Sequence, residues 1–232
     1  MTQMTSLPSG TITETVNAFL RVDSANAPSR RRERSWDFCF NYFQDNPHPT
    51  QNMETSCLQL GYYLASWGML RGSSFLFRET NTLHYRAAIE AIEHHNQTMR
   101  GFDVDKYNSA SDLEDFDAAW YALKAALLPE GGAPTTLISK VMMGVWGCLP
   151  SYDTYFIRTM TDLAGEQKIR SLRGVSHESL RFLHQIWQDH KDEIEEVRHA
   201  NPPWTFQTGS PGERPMTRAK VLDIFGFKYS WG

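Results

Sequence analysis

The stretch LPEGGAPTTLISKVMMGVWGCLPSYDTYFIRTM, residues 128–160, decides the reading of this chain. Gly131, Gly132 and Pro134 crowd three breakers into a few residues, which predicts a tight turn. After the turn, the apolar residues recur with helical period, which predicts a helix over Thr135–Val145 with Thr135 as its N-cap. Trp146 to Ser151 reads as a short connector. Asp153 then opens a second helix, running to Leu163, as its N-cap. The physical sense of this order is specific. A glycine turn ahead of a helix exposes backbone N–H groups beside the positive end of the helix dipole, a neutral way to hold one phosphate. Lys140 and Arg158 could add charge nearby.

Working outward, nearly every other apolar segment also has helical rather than alternating period. Helices are expected over Thr11–Val22, from Ser35 to Gln44, from Met53 to Leu70, over Thr82–Met99 and over Asp112–Leu128. Beyond the central stretch, Ser176–His199 reads as one long helix with an exposed side. Thr217–Phe227 reads as a last helix with an aromatic tail behind it. The segment Met53–Leu70 is apolar all round, the pattern of a central, buried helix. No strand and no internal repeat is expected. The fold class is therefore all-α, a compact multi-helix globule. The polar Gln97–Asp112 connection could divide it into two lobes, 1–100 and 112–232.

Composition narrows the function classes. In 232 residues, 23 Lys and Arg face 27 Asp and Glu, a net charge of −4. That excludes coating nucleic acid by bulk charge, but not a local basic face. The run Arg30, Arg31, Arg32 and Arg34 could contact a nucleic-acid backbone or only keep a linker soluble. Cys39, Cys57 and Cys148 are widely spaced, which excludes a cysteine-rich zinc module or a disulfide scaffold and predicts free thiols in a reducing compartment. No metal, no cofactor and no nucleotide-phosphate motif is expected. The first residues lack a signal-peptide pattern and no segment reaches membrane-span length, so a cytoplasmic protein without a membrane partner is expected.

At this point the chain resembles the helix-hairpin-helix superfamily of DNA glycosylases. There a hairpin of the form LPGxGxxTA precedes an apolar helix, and an aspartate then opens the next helix in a context like VDTHIFR. Here the hairpin is Leu128 to Thr136, and the aspartate context is Tyr152-Asp153-Thr154-Tyr155-Phe156-Ile157-Arg158. The resemblance covers the 128–160 stretch together with the all-α class. It implies that Gly131, Gly132 and Thr135 anchor a double-stranded DNA backbone and that Asp153 is the catalytic residue. Glu130 stands where the family has its first hairpin glycine, and a carboxylate there repels a phosphate unless it points away. Pro134 stands where bifunctional members carry a Schiff-base lysine, and the iron–sulfur cysteines are absent. The resemblance therefore implies a monofunctional enzyme acting in repair, or in defence against phage with modified bases.

The chemistry asks for such a carboxylate. Breaking an N-glycosidic bond builds positive charge on the sugar, and an ionised Asp beneath it stabilises that state and activates water. As an N-cap, Asp153 is expected to be kept ionised by the dipole, and the cap role and the catalytic role are compatible. A flipped base needs aromatic walls. Tyr63, Trp67 and Arg71, where the apolar helix breaks at WGMLRGSS, are the expected base pocket. Two other classes compete. Arg170 and His177 resemble the Arg-x-His pair of HEPN-type ribonucleases. Alternatively, the chain is a non-catalytic helical interaction protein, which would show an apolar surface patch.

Overall fold

A computed structural model of the chain describes residues 7–20, 31–165 and 170–231, with the side chains of 170, 171 and 231 left aside. The described α-helices are α1 (Thr11–Leu20), α2 (Arg34–Asp45), α3 (Met53–Ser66), α4 (Phe75–Glu79), α5 (Arg86–Met99), α6 (Ala110–Leu127), α7 (Thr135–Val145), α8 (Thr154–Ala164), α9 (His177–Asp189), α10 (Lys191–Ala200) and α11 (Arg218–Trp231). One two-residue hairpin, β1 (Trp204–Thr205) against β2 (Ser210–Pro211), interrupts the proline-rich segment. The fold class is all-α, as the periodicity indicates.

The most buried helix is α7, not α3. Every residue of α7 from Leu137 to Val145 is buried, and α2 and α3 pack against it. Gly144 allows α3 to come close: a Cβ there would meet the Tyr63 ring at 2.4 Å. By contrast, α3 leaves Leu58 and Tyr62 exposed. Its all-round apolar composition reflects one face on the core and one on the surface, which composition alone does not separate. One continuous hydrophobic core takes residues from both 1–100 and 112–232.

Three element boundaries depart from expectation, each for a local reason. The helix from Met53 stops at Ser66 because Gly68, at φ +74°, closes it with a 6→1 bond from Met69 N to Leu64 O and a 5→2 bond from Gly68 N to Ala65 O. Residues 176–199 form two helices rather than one. His190 leaves the helical basin at φ −123°, so α9 packs towards the 104–106 turn while α10 turns onto α1 and α11. Finally, α11 continues through the aromatic tail to Trp231. Thr135 is not the N-cap of α7: that position is Pro134, which has no side chain to accept a hydrogen bond.

Between α7 and α8 the chain runs through Trp146–Tyr152 as a buried connector without helical structure. Buried loops are uncommon because their backbone groups need partners. Here side chains supply them. Asp223 accepts from Ser151 N at 2.7 Å, and the Ser139 hydroxyl accepts from Tyr152 N at 2.9 Å. Tyr107 donates to Cys148 O at 2.6 Å, and Thr136 donates to Tyr152 O at 3.0 Å. Carbonyls at the C-terminal end of α7 also take side-chain donors, Met143 O from the Trp36 indole at 2.8 Å and Val145 O from Gln44 at 3.0 Å. The connector is thus clamped from α2, α6's leading loop, α7 and α11, and it ends at Asp153.

Candidate active site

Asp153 has an extended backbone, φ −91° and ψ 176°, and caps α8. Its Oδ1 accepts from Tyr155 N at 3.1 Å and Phe156 N at 3.0 Å. Its Oδ2 lies 3.7 Å from Lys140 Nζ. One carboxylate oxygen holds the helix while the other faces a lysine. Burial pushes the Asp153 carboxyl above its ordinary value, and Lys140 and the two amides pull it back. The dipole therefore does not set its ionisation alone; desolvation is the larger effect.

Lys140 is only 4% exposed. Burial holds its amine below the ordinary range, opposed by Asp153 and Asp223 and reinforced by Lys220. It is not the surface phosphate contact that a lysine one turn inside a helix suggests. A second buried lysine, Lys220 on α11, pairs with Asp223 at 2.7 Å. Its ammonium lies over the Trp36 ring at 4.9 Å and the Trp67 ring at 5.2 Å. Lys140 lies over the Trp67 ring at 5.5 Å, and the Arg32 guanidinium is also 5.5 Å from that ring. Cations gathered around one indole are stabilised by its quadrupole and by the nearby carboxylates.

These groups border two connected spaces. The inner one, about 10 Å³, has room for about one water and is edged by Tyr63, Ser151, Lys220 and Asp223. The outer one is a cleft of about 430 Å³ that includes Arg32, Trp67, Arg71, Thr136, Tyr155 and Phe227. Trp67, Lys140, Asp153 and Phe227 border both. The cleft is of a size that holds a small organic group, with aromatic walls, cationic rim and a carboxylate–amine pair at its floor.

Of the residues singled out in sequence, Asp153, Lys140, Trp67 and Arg71 meet at this cleft, and Tyr63 stands behind it. Gly131 and Gly132 do form a left-handed turn, at φ +90° and +131°. Gly131, however, borders a different cavity of about 400 Å³ with Phe75, His84, Leu128 and Glu130. Thr135 lines neither space, and its neighbour Thr136 is the residue that reaches the cleft. Arg158 is exposed on α8 and lines neither space. Glu130 is exposed at the turn.

His177 bonds Asp117 at 2.9 Å across to α6, whereas the Arg170 side chain lies outside the described residues, as does Arg30. His184, buried, bonds Val104 O at 2.8 Å. Among the described residues no cluster of three His, Cys, Asp or Glu could hold a metal. No described helix is long and apolar enough to cross a membrane. Cys39, Cys57 and Cys148 are buried and free.

Sequence reasoning missed Lys220, Asp223 and Phe227. A signal existed: Lys220 and Asp223 stand i,i+3 inside the otherwise apolar run of α11. A charged pair that a helix buries needs a reason. Comparison with protein-family models, with characterised proteins and with solved structures finds no match.

Proposed function

We propose that the protein is a monofunctional DNA N-glycosylase that hydrolyses the bond between deoxyribose and a flipped base, leaving an abasic site. The observation that carries this reading is Asp153: a carboxylate with one oxygen tied to the helix and the other facing the Lys140 ammonium, at the floor of an aromatic, cation-rimmed cleft. A merely structural N-cap does not call for a buried connector clamped from several elements, nor for a lysine desolvated beside it.

In this reading the nucleotide swings out of the duplex and lies in the outer cleft against Trp67, Tyr155 and Phe227. Asp153 Oδ2 stabilises the oxocarbenium-like sugar and takes a proton from the attacking water. Arg32 and Arg71 neutralise phosphates at the rim. The Gly131–Gly132 turn, which borders a separate cavity, and Thr135 at the start of α7 would hold the backbone further along the duplex, with Glu130 exposed.

The test is wild type against Asp153→Asn on duplexes carrying damaged, mismatched, alkylated and phage-type modified bases. Alkali treatment then breaks strands only at abasic sites. The expected result is base release by wild type and a loss on the order of 10²–10⁴-fold in the folded variant. Equal activity in both proteins would remove Asp153 from the chemistry. RNA cleavage that is lost in His177→Ala, with no base release, would favour the ribonuclease class instead.

A further inference from the structure

Resting on the glycosylase reading, the geometry points to Lys140 as its general acid, the group that protonates the departing base. A neutral base leaves as an anion unless a proton reaches it as the C1′–N bond breaks. The cleft offers few donors. Guanidinium groups such as those of Arg32 and Arg71 are poor proton donors. The Tyr155 phenol is 40% exposed, with its ring edge-on to Phe227. The hydroxyls of Thr136 and Thr154 are not acidic, and burial raises the Tyr63 phenol well above its ordinary value. Lys220 borders only the inner space and is committed to Asp223 at 2.7 Å. Lys140 borders the outer cleft and faces Asp153 as an ion pair at 3.7 Å, a looser hold than the 2.7 Å pair of Lys220 and Asp223.

The groups facing Lys140 are Asp153 ahead of α8, Asp223 and Lys220 on α11, Tyr63 on α3, and Arg32 across the Trp67 ring. Desolvation and the nearby Lys220 charge weaken its hold on the proton, opposed by Asp153 and Asp223. The step balances. The C1′–N bond breaks, its electron pair goes to the base nitrogen, and that nitrogen takes a proton from the Lys140 ammonium. Water adds to C1′ and gives its proton to Asp153. Asp153 returns that proton to the Lys140 amine, restoring the ion pair. The net reaction consumes one water and yields the free base and an abasic sugar.

The experiment is single-turnover base release by wild type, Lys140→Met and Lys140→Arg. The duplexes carry uracil, hypoxanthine, 8-oxoguanine or 7-methylguanine. 7-Methylguanine is already cationic and departs as a neutral base, so it needs no proton. The expected loss in Lys140→Met is on the order of 10²–10⁴-fold for a neutral base, and at least about 100-fold greater than for 7-methylguanine where both are released. Wild-type rates on a neutral base fall as pH rises through the Lys140 pKa. In Lys140→Arg the alkaline fall is absent, because arginine keeps its proton.

Equal losses on both leaving groups, no loss on a neutral base, or an alkaline limb unchanged in Lys140→Arg would overturn the role. So would a wild-type enzyme that releases 7-methylguanine alone. If Lys140→Met does not fold, the pH profile of Lys140→Arg decides. Wild type that releases no base from any duplex overturns the glycosylase reading itself, a result distinct from failure of Lys140 alone.

Discussion

Asp153 divides its carboxylate between two tasks, and the division explains why its place in the chain was legible while its surroundings were not. An aspartate ahead of an apolar helical period announces a cap from sequence alone. That its second oxygen meets Lys140, buried one helix earlier, depends on how α7 and α8 cross. Gly147 shows the same limit. It falls in the expected connector, just past the end of α7, at φ +64°. Yet a Cβ there would also meet Thr217 at 2.8 Å and Phe40 at 2.9 Å, contacts between segments far apart in sequence. Gly147→Ala is therefore expected to lower unfolding free energy by about 2 kcal/mol or more, combining backbone strain with overpacking. Gly174→Ala, where the added Cβ approaches Thr135 no nearer than 3.8 Å, should change it by under about 0.5 kcal/mol. Urea denaturation of the two variants checks the contrast.

Among the elements, the long helices were readable, whereas the short α4 and the β1–β2 hairpin were not expected and junctions were less legible. The split of 176–199 at His190 is a tertiary event: Leu180, Leu183 and Ile186 face one neighbour, Ile194 and Val197 another. A straight helix could not serve both faces. The junction is held on the α10 side by Glu195, which takes Arg198 at 2.9 Å and Arg218 of α11 at 2.5 Å. Burial raises the Glu195 carboxyl, but the hydrogen bonds from Arg198 and Arg218 outweigh it and leave it below the ordinary 4.5. A carboxyl with a depressed folded pKa binds fewer protons folded than unfolded, so its contribution is present above about pH 4.5 and is lost as pH falls through the folded value. Glu195→Gln should thus destabilise by about 1 kcal/mol at pH 7. Wild type and variant should converge below that window, as read from thermal melts across pH 2.5–7 (the spread the titration requires, roughly two units each side of an ordinary carboxyl). A constant difference at every pH would show that the charge is not what binds α10 to α11.

On the scale of the whole molecule, a net charge of −4 is compatible with a DNA partner only if cations are gathered locally. The cleft gathers Arg32 and Arg71 above the buried Lys140–Asp153 pair, though residues 32, 71 and 140 lie far apart in the chain. No run of sequence shows that concentration, and only the basic run and the WGMLRGSS break hinted at parts of it. In the proposed function Arg71 is a phosphate contact at the rim, a kind of contact that carries charge and not base identity. Arg71→Ala is expected to weaken binding alike to all duplex sequences and to shallow the slope of log affinity against log salt by about 0.9. Filter binding over a salt series measures this, and an unchanged slope would place Arg71 away from the phosphates.

The most direct test of the proposed catalytic assignment offers the protein a choice of bases. Purified protein is incubated with genomic DNA from several sources, including phage with modified bases, and the small-molecule fraction is analysed by mass spectrometry. A free base that appears with wild type and is absent with Asp153→Asn is the predicted result, and its mass names the substrate. No free base from any DNA, with both proteins folded, would contradict the glycosylase assignment and leave the Asp153–Lys140 pair as part of the frame that joins α7 to α8.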